Sequence, residues 1–427
     1  MKTKEKIDIT KYTKYFKAIF FITAVINILL FAQKKETILE KADYKILVQE
    51  SEGSSNYVEY NGSTFPKNGY VLSSYECENG GVITQNEAKA ITFTGGTDTC
   101  TLKFDLSESA STATTLQLLQ ALNPSIQVNS GTPDFSQVAT TDEGLYSTQD
   151  DYGTSYYWRG AATTNYIQFG KNSSNQDLYW RIVRINGDES LRLLYAGTSA
   201  TAIETLGEIP VNQNDDDNAY VGYMYGSPNS STYEATHANS NSSGIKTFLE
   251  NWYTNNLSGT TVEKYISDTE FCYDRSIQEG DGLGIKKETT YYSAYKRNYI
   301  NKSPEVTCVQ KNDRFTLNDS NVGNSSLSKR IGLITLDEVV MGGLNYNNNN
   351  NKSYLYKNTY YWTGTPFKYD KNDIDATLGV VNYTGELGYE DVTDDEGIKV
   401  VPVINISQEA VATLTGTGTS SNPFVVH

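Results

Sequence analysis

The stretch "YWRIVRINGDESLRLLYAG", Tyr179 to Gly197, constrains the fold more than any other part of the chain. Asn186-Gly187 stands between two runs rich in branched and aromatic residues, a strong hairpin pattern. In "YWRIVRI", Trp180 and Ile182 share one side of a strand, and Val183 and Ile185 share the other. Both sides are apolar, so the hairpin is expected between layers and not on an open face. Arg181 and Arg184 within it are expected to meet acidic neighbours or reach the sheet edge more readily than to await a ligand.

The only long apolar run is "AIFFITAVINILLFA" at 18–32. It is shorter than the about 20 residues that a full span wants, but Lys17 can snorkel. Lys2, Lys4, Lys6, Lys11, Lys14 and Lys17 precede or border it, against Glu5 and Asp8. The charge bias predicts a single-pass anchor with a cytoplasmic N-terminus and an extracellular C-terminal domain in the cell membrane. A cleaved signal peptide, with Ala32 at the cut and a large Leu30 two before it, is the second reading. A buried core helix is the third.

Four cysteines follow this run: Cys77, Cys100, Cys272 and Cys308. Three pairings are open; the two close pairs, Cys77–Cys100 and Cys272–Cys308, fit separate folding units best. Disulfides are expected outside the membrane. Structural zinc would need tighter Cys or His spacing.

The organisation expected from these signals starts with a Lys-rich cytoplasmic tail at 1–17 and a transmembrane helix at 18–32. A juxtamembrane linker at 33–56 is expected to continue the helix through Ile38, Leu39, Ala42 and Ile46. A small disulfide-stapled β domain covers 57–105, a connector 106–149, and the main domain 150–427. In the main domain, Ser243 or Ser242 can cap a helix carrying Ile245, Phe248, Leu249 and Trp252. Thr260/Glu263 and Thr335/Glu338 read as capping boxes. Strands, helices and then many short strands give an α+β class.

Several pieces together resemble an uncharacterised family of exported surface proteins of low-GC Gram-positive bacteria. They are "DDYGTSYYWRG" (150–160), the hairpin, 217–257, "FCYDRS" (271–276), "NDRFTL" (312–317), "IGLITLDEVV" and "VVPVINI". The resemblance spans about 142–427. More distantly, the layout is similar to C-type-lectin-like domains of the formylglycine-generating-enzyme type. Val401-Pro402 stands where those relatives have Arg-Pro, and "YYWTGTP" departs from their Tyr-Trp-x-x-Ser-Pro. The resemblance therefore implies an α+β, C-type-lectin-like main domain and carries over no activity.

The net charge of −16 argues against a nucleic-acid partner. No nucleophile elbow, zinc-protease, Walker or dinucleotide motif occurs, and no catalytic residue or cofactor is assigned. His237 reads as a loop residue. Calcium is the one ion considered: Asn212, Asn214, Asp216 and Asn218 put oxygen donors at alternate positions. The runs with Asp370, Asn372, Asp373 and Asp375, and with Asp391, Asp394, Asp395 and Glu396, are similar. The Glu-Pro-Asn and Trp-Asn-Asp pairs of calcium-dependent lectins are absent. With 33 tyrosines, much apolar packing must come from Tyr. Tyr156, Tyr157, Trp158, Tyr220, Tyr223, Tyr225, Tyr360, Tyr361 and Trp362 are candidates for a ligand platform or for the core; Trp180, Trp252 and Trp362 are assigned to the core.

The functional expectation is a membrane-anchored extracellular binding or adhesion protein without catalytic activity. Its ligand would be a glycan, cell-wall material or a protein, met by the loops at 201–242, 345–352 and 368–396. A surface-layer or filament subunit is the alternative. An exported carbohydrate-active enzyme, which would need a converged carboxylate pair, comes third.

Overall fold

A computed structural model describes residues 42–49, 56–59, 70–85, 91–94, 97–106, 113–285, 288–394 and 396–427. The chain divides into two compact units, Met1–Thr112 and Ala113–His427.

In the first unit, four strands pair in the order Tyr57–Glu59, Ala42–Gln49, Asp98–Leu106, Tyr70–Cys77. A separate hairpin joins Val82–Gln85 to Ile91–Thr94. The expected helical linker is thus a strand from Ala42 onward, running parallel to Asp98–Leu106. The short stripe Ile38, Leu39, Ala42, Ile46 is too weak to hold a helix against a full ladder of backbone bonds. Among the described residues of this unit, the buried apolar cluster is Val48, Ile83, Cys100, Leu102 and Phe104. Cys77 sits directly opposite Cys100 and the two form a disulfide. A core of this size needs such a staple. The Asp98 carboxylate accepts from the backbone N–H groups of Asn79, Gly81 and Thr99 and fixes the turn.

The second unit holds two large sheets over one apolar core. One runs Val403–Ile406, Leu191–Gly197, Asp177–Ile185, Gly153–Gly160, Asp142–Asp150. Tyr166–Lys171 also pairs with Asp177–Ile185, and Phe424–Val425, close to the last residue, runs parallel to Tyr166–Lys171. The other sheet runs Ile277–Glu279, Thr290–Tyr292, Tyr360–Asp370, Asp375–Val381, Leu387–Asp391. The segment "IGLI" bridges them: Gly332 N–H donates to Val403, while Gly364 N–H of the second sheet donates to Ile334. Part of the expected connector, from Ala113 on, is integral to this unit, since Asp142–Asp150 is an edge strand of the first sheet.

The hairpin at Tyr179–Gly197 is buried on both faces. Trp180, Trp158 and Trp362 are the largest fully buried side chains. Each indole N–H finds an acceptor: Phe169 O for Trp180, Ile209 O for Trp362 and Thr164 Oγ1 for Trp158. Trp252 is half-buried and meets the Trp180 ring edge-on. Arg184 pairs with Asp150 at 2.7 Å and Glu338 at 2.9 Å, and Arg192 pairs with the same Glu338 oxygen at 2.5 Å. Burial pushes the Glu338 carboxyl up, but Arg192 and Arg184 outweigh it and hold it below the usual range. Glu338 also closes the capping box with Thr335 at the start of helix Leu336–Met341, all six residues of which are buried. Arg181 goes elsewhere, to Asn165 and to the face of the Tyr166 ring.

Three expectations are corrected. The α+β class with an N-terminal transmembrane helix and a C-type-lectin-like domain gives way to a mainly β protein, 35% strand and 16% helix. Among the described residues no helix is long and apolar enough to cross a membrane. The longest of them, Gly244–Asn256, has 13 residues and carries Lys246, Glu250 and several amides, against about 20 apolar residues for a span. The run 18–32 itself lies outside the described residues. The single-pass membrane placement was built on that run, and no helix among the described residues supports it. Lastly, the capping box at Thr260/Glu263 does not form. Glu263 opens a single 3-10 turn, Glu263–Tyr265, and its carboxylate accepts instead from Gly259 N–H.

The second disulfide, Cys272–Cys308, closes a separation of 36 residues beside the Arg314–Asp151 pair. Replacing both cysteines by Ser is expected to cost about 2–5 kcal/mol in denaturant unfolding. Arg184→Ala leaves the buried Asp150 carboxylate without its cation and is expected to cost about 3–5 kcal/mol by the same measurement.

Candidate functional site

Loop 209–220, the ribbon Met224–Tyr225 with Asn241–Ser242, and helix Gly244–Asn256 enclose a surface groove of about 450 Å³. This volume lies within the about 300–1,000 Å³ usual for ligand sites. The loop contributes Ile209, Asn212, Gln213, Asn214 and Tyr220; the ribbon contributes Tyr225 and Ser242; the helix contributes Thr247, Phe248 and Asn251.

The walls are fixed from behind. Ser243 caps the helix by accepting from Lys246 N–H, and its hydroxyl donates to Tyr223 O at 2.8 Å. Gly244 N–H donates to Val211 O at 2.9 Å, which ties the loop to the helix start. Asn212 is buried; its side-chain amide donates to Tyr220 O at 2.7 Å and its N–H to Val392 O at 2.9 Å. Gly226 lets the ribbon pass close to the short helix Tyr233–Thr236 that follows it: a Cβ there would lie 2.0 Å from Ala235 O. On the floor, the Tyr220 and Tyr225 rings sit 5.2 Å apart, tilted by 57°. Burial first, then the charges of Asp216 and Asp217, raise the Tyr220 phenol above its usual value, so it stays neutral.

The four calcium candidates do not form one oxygen cage. Asn212 and Asn218 are buried, and the Asn218 amide donates to Leu283 O while accepting from the Tyr292 hydroxyl. Asn214 and Asp216 are exposed. Between Asp216 and Asn218, Asp217 caps a 3-10 turn by accepting from Ala219 N–H. Among the described residues, the one set of three His, Cys, Asp or Glu donors close enough to share an ion is Cys77, Asp98 and Cys100, whose sulfurs are already joined.

The three acidic runs do converge, the first through Asp215 and the other two through the candidates Asp375, Asp391 and Asp394. Asp215 O accepts from Ala376 N–H, and its carboxylate accepts from Thr393 Oγ1 at 2.8 Å. Asp391 is pushed up to about 7 by burial, then by its hydrogen bond to Asp375 and the charges of Asp375, Asp394 and Asp215. Asp395 lies outside the described residues. This junction anchors the groove loop from the far side and does not line the groove.

A second cavity, of about 20 Å³, opens among Arg184, Arg192, Arg297, Asp337 and Glu338. It has room for about one water and none for a substrate. Other perturbed groups are buried structural ones. Glu270 is pushed up to about 9 by burial and Asp151, and Lys357 down to about 7 by burial while donating to Tyr195 O. His237 is held neutral by burial and by Arg275, with Nε2 at Gly282 O.

Of the nine aromatic candidates, Tyr220 and Tyr225 reach the groove; Tyr157, Trp158, Tyr223, Tyr361 and Trp362 are core, and Tyr156 and Tyr360 pack against it. Phe248, grouped with Ile245, Leu249 and Trp252 along the helix, packs partly against the core and also lines the groove beside Thr247 and Asn251. The polar pair at i and i+4 around it was the available signal. A second aromatic surface was missed altogether: Tyr291, Tyr295 and Tyr299 follow one another ring on ring, and Tyr389 stacks on buried Phe367.

No family profile, curated protein or solved structure matches the chain.

Since Asp391 titrates above its ordinary range, its carboxyl favours the folded state in acid and loses that contribution as pH rises through about 7. Asp391→Asn is therefore expected to raise the melting temperature at about pH 8 and to change it little at about pH 4, as read by calorimetry.

Proposed function

We propose that this is a non-catalytic recognition protein that holds its ligand in the groove between loop 209–220 and helix Gly244–Asn256. The observation that carries the reading is the composition of the lining. Three aromatic rings and a set of amides and hydroxyls are presented on a rigidly tied frame, with no carboxylate, imidazole or thiol among them. Rings and amides suffice to hold a ligand. Hydrolysis or group transfer at that place would need a general base within reach, and the perturbed groups of this chain lie elsewhere. Two disulfides fit an extracellular or otherwise oxidising environment, where such recognition is used.

Filling the groove tests the reading. Thr247 is exposed on the helix, so Thr247→Trp adds a ring to the groove without disturbing the core. The full chain, passed over cell-wall preparations, matrix proteins and glycans, is expected to retain a partner that the Thr247→Trp chain loses, with unchanged melting temperature. The retained ligand should be recovered intact. Retention that survives the filled groove, or a ligand recovered cleaved, contradicts the proposal.

A further inference from the structure

We infer that the groove takes an uncharged oligosaccharide, an inference that rests on the groove being the ligand site. Three features of its lining point there.

The first is charge. The chain carries 51 acidic and 35 basic residues, yet no charged side chain lines the groove. An ionised ligand entering it would give up hydration with no counter-charge in return. Asp216 and Asp217 stand behind Tyr220 and disfavour an anion further.

The second is hydrogen-bonding pattern. Asn251 offers both a donor and an acceptor, while Asn214, which also meets the Tyr220 phenol, and Thr247, whose hydroxyl donates to Ser243 O at 3.0 Å, keep acceptor oxygens for a ligand. Sugar hydroxyls are also donor and acceptor at once, so amide and hydroxyl side chains match them without any choice of protonation state. These side chains are exposed, and they stand on elements pinned by the Ser243 and Asn212 hydrogen bonds. Little ordering is left to be done on binding.

The third is the rings. Tyr220, Tyr225 and Phe248 bring apolar faces to the same space, two of them half-buried with one side open. A pyranose has an apolar C–H face and a polar rim, and it can stack on such a ring while its rim meets the amides. The groove is open along the surface between helix and ribbon, so a segment of a longer chain can lie in it.

The test is an array bearing neutral oligosaccharides (cellohexaose, laminarihexaose, mannohexaose, chitohexaose), acidic ones (heparin and polygalacturonate fragments) and immobilised peptides, probed with the full chain at low and high salt. Retention is expected on at least one neutral oligosaccharide. It should be insensitive to salt, because no ion pair is involved. Asn251→Ala should weaken it about tenfold at unchanged melting temperature, and Tyr225→Ala, which also removes a ring packed on Tyr220 and the core, should weaken it at least as much. Asn251 is exposed on the helix, so its loss reads binding and not folding. Peptide or acidic-glycan binding that both variants abolish overturns the sugar assignment and leaves the groove as the ligand site. Binding that neither variant changes, or no binding to any probe, overturns both.

Discussion

The second unit depends on one buried carboxylate. Glu338 accepts from Arg184 and forms an ion pair with Arg192, which lie on the two strands of the central hairpin, and it also closes the N-terminal cap of helix Leu336–Met341. Arg184 reaches on to Asp150, at the junction of the first two strands of the unit. Four elements from three separate stretches of the chain are thereby held in one register. Breaking any member strands a charge in the core, where its desolvation has no return. The network specifies the arrangement more than it strengthens it, since an apolar core of the same volume could be as stable. Its cavity holds no more than a water, and its charges are internally matched.

From that frame the groove follows by a short chain of contacts. Trp362, buried on the second sheet, donates its indole N–H to Ile209 O at the groove rim. Ala376 and Val392, on and beside the strands of that sheet, hold Asp215 and Asn212 by backbone bonds. Ser243 and Gly244 hold the helix start against Tyr223 and Val211. A loop of many Asn and Asp residues, which in isolation would be solvated and mobile, is therefore an ordered wall. Its buried amides serve the fold, and its exposed ones serve the surface.

Much of the scaffold was legible in the sequence. The Asn186-Gly187 hairpin, the Ser243 cap, the Thr335/Glu338 capping box and the acidic partners of Arg184 follow from local chemistry and from charge balance. The cysteine spacing pointed to Cys77–Cys100 and Cys272–Cys308, and both bonds are present. What misled was local signal without its tertiary context. Ala42 to Gln49 carries a weak helical stripe, yet it is a strand, because Asp98–Leu106 offers it a complete ladder. Alternate Asn and Asp at 212–218 suggested a cation, whereas burial turns Asn212 and Asn218 into hydrogen-bond partners of Tyr220, Leu283 and Tyr292. The groove was half visible: Tyr220 and Tyr225 were candidates, but Phe248 and Asn251 required knowing which side of the helix the ribbon leaves uncovered.

The central claim is that recognition occurs between loop 209–220 and helix Gly244–Asn256. Hydrogen–deuterium exchange of the full chain, with and without a saturating concentration of the neutral oligosaccharide it retains best, tests this directly. Slowed exchange is expected in 209–225 and 241–251, with the sheets unchanged. Slowed exchange centred on the tyrosines at 291–299, or no change in the groove segments at saturation, would contradict it.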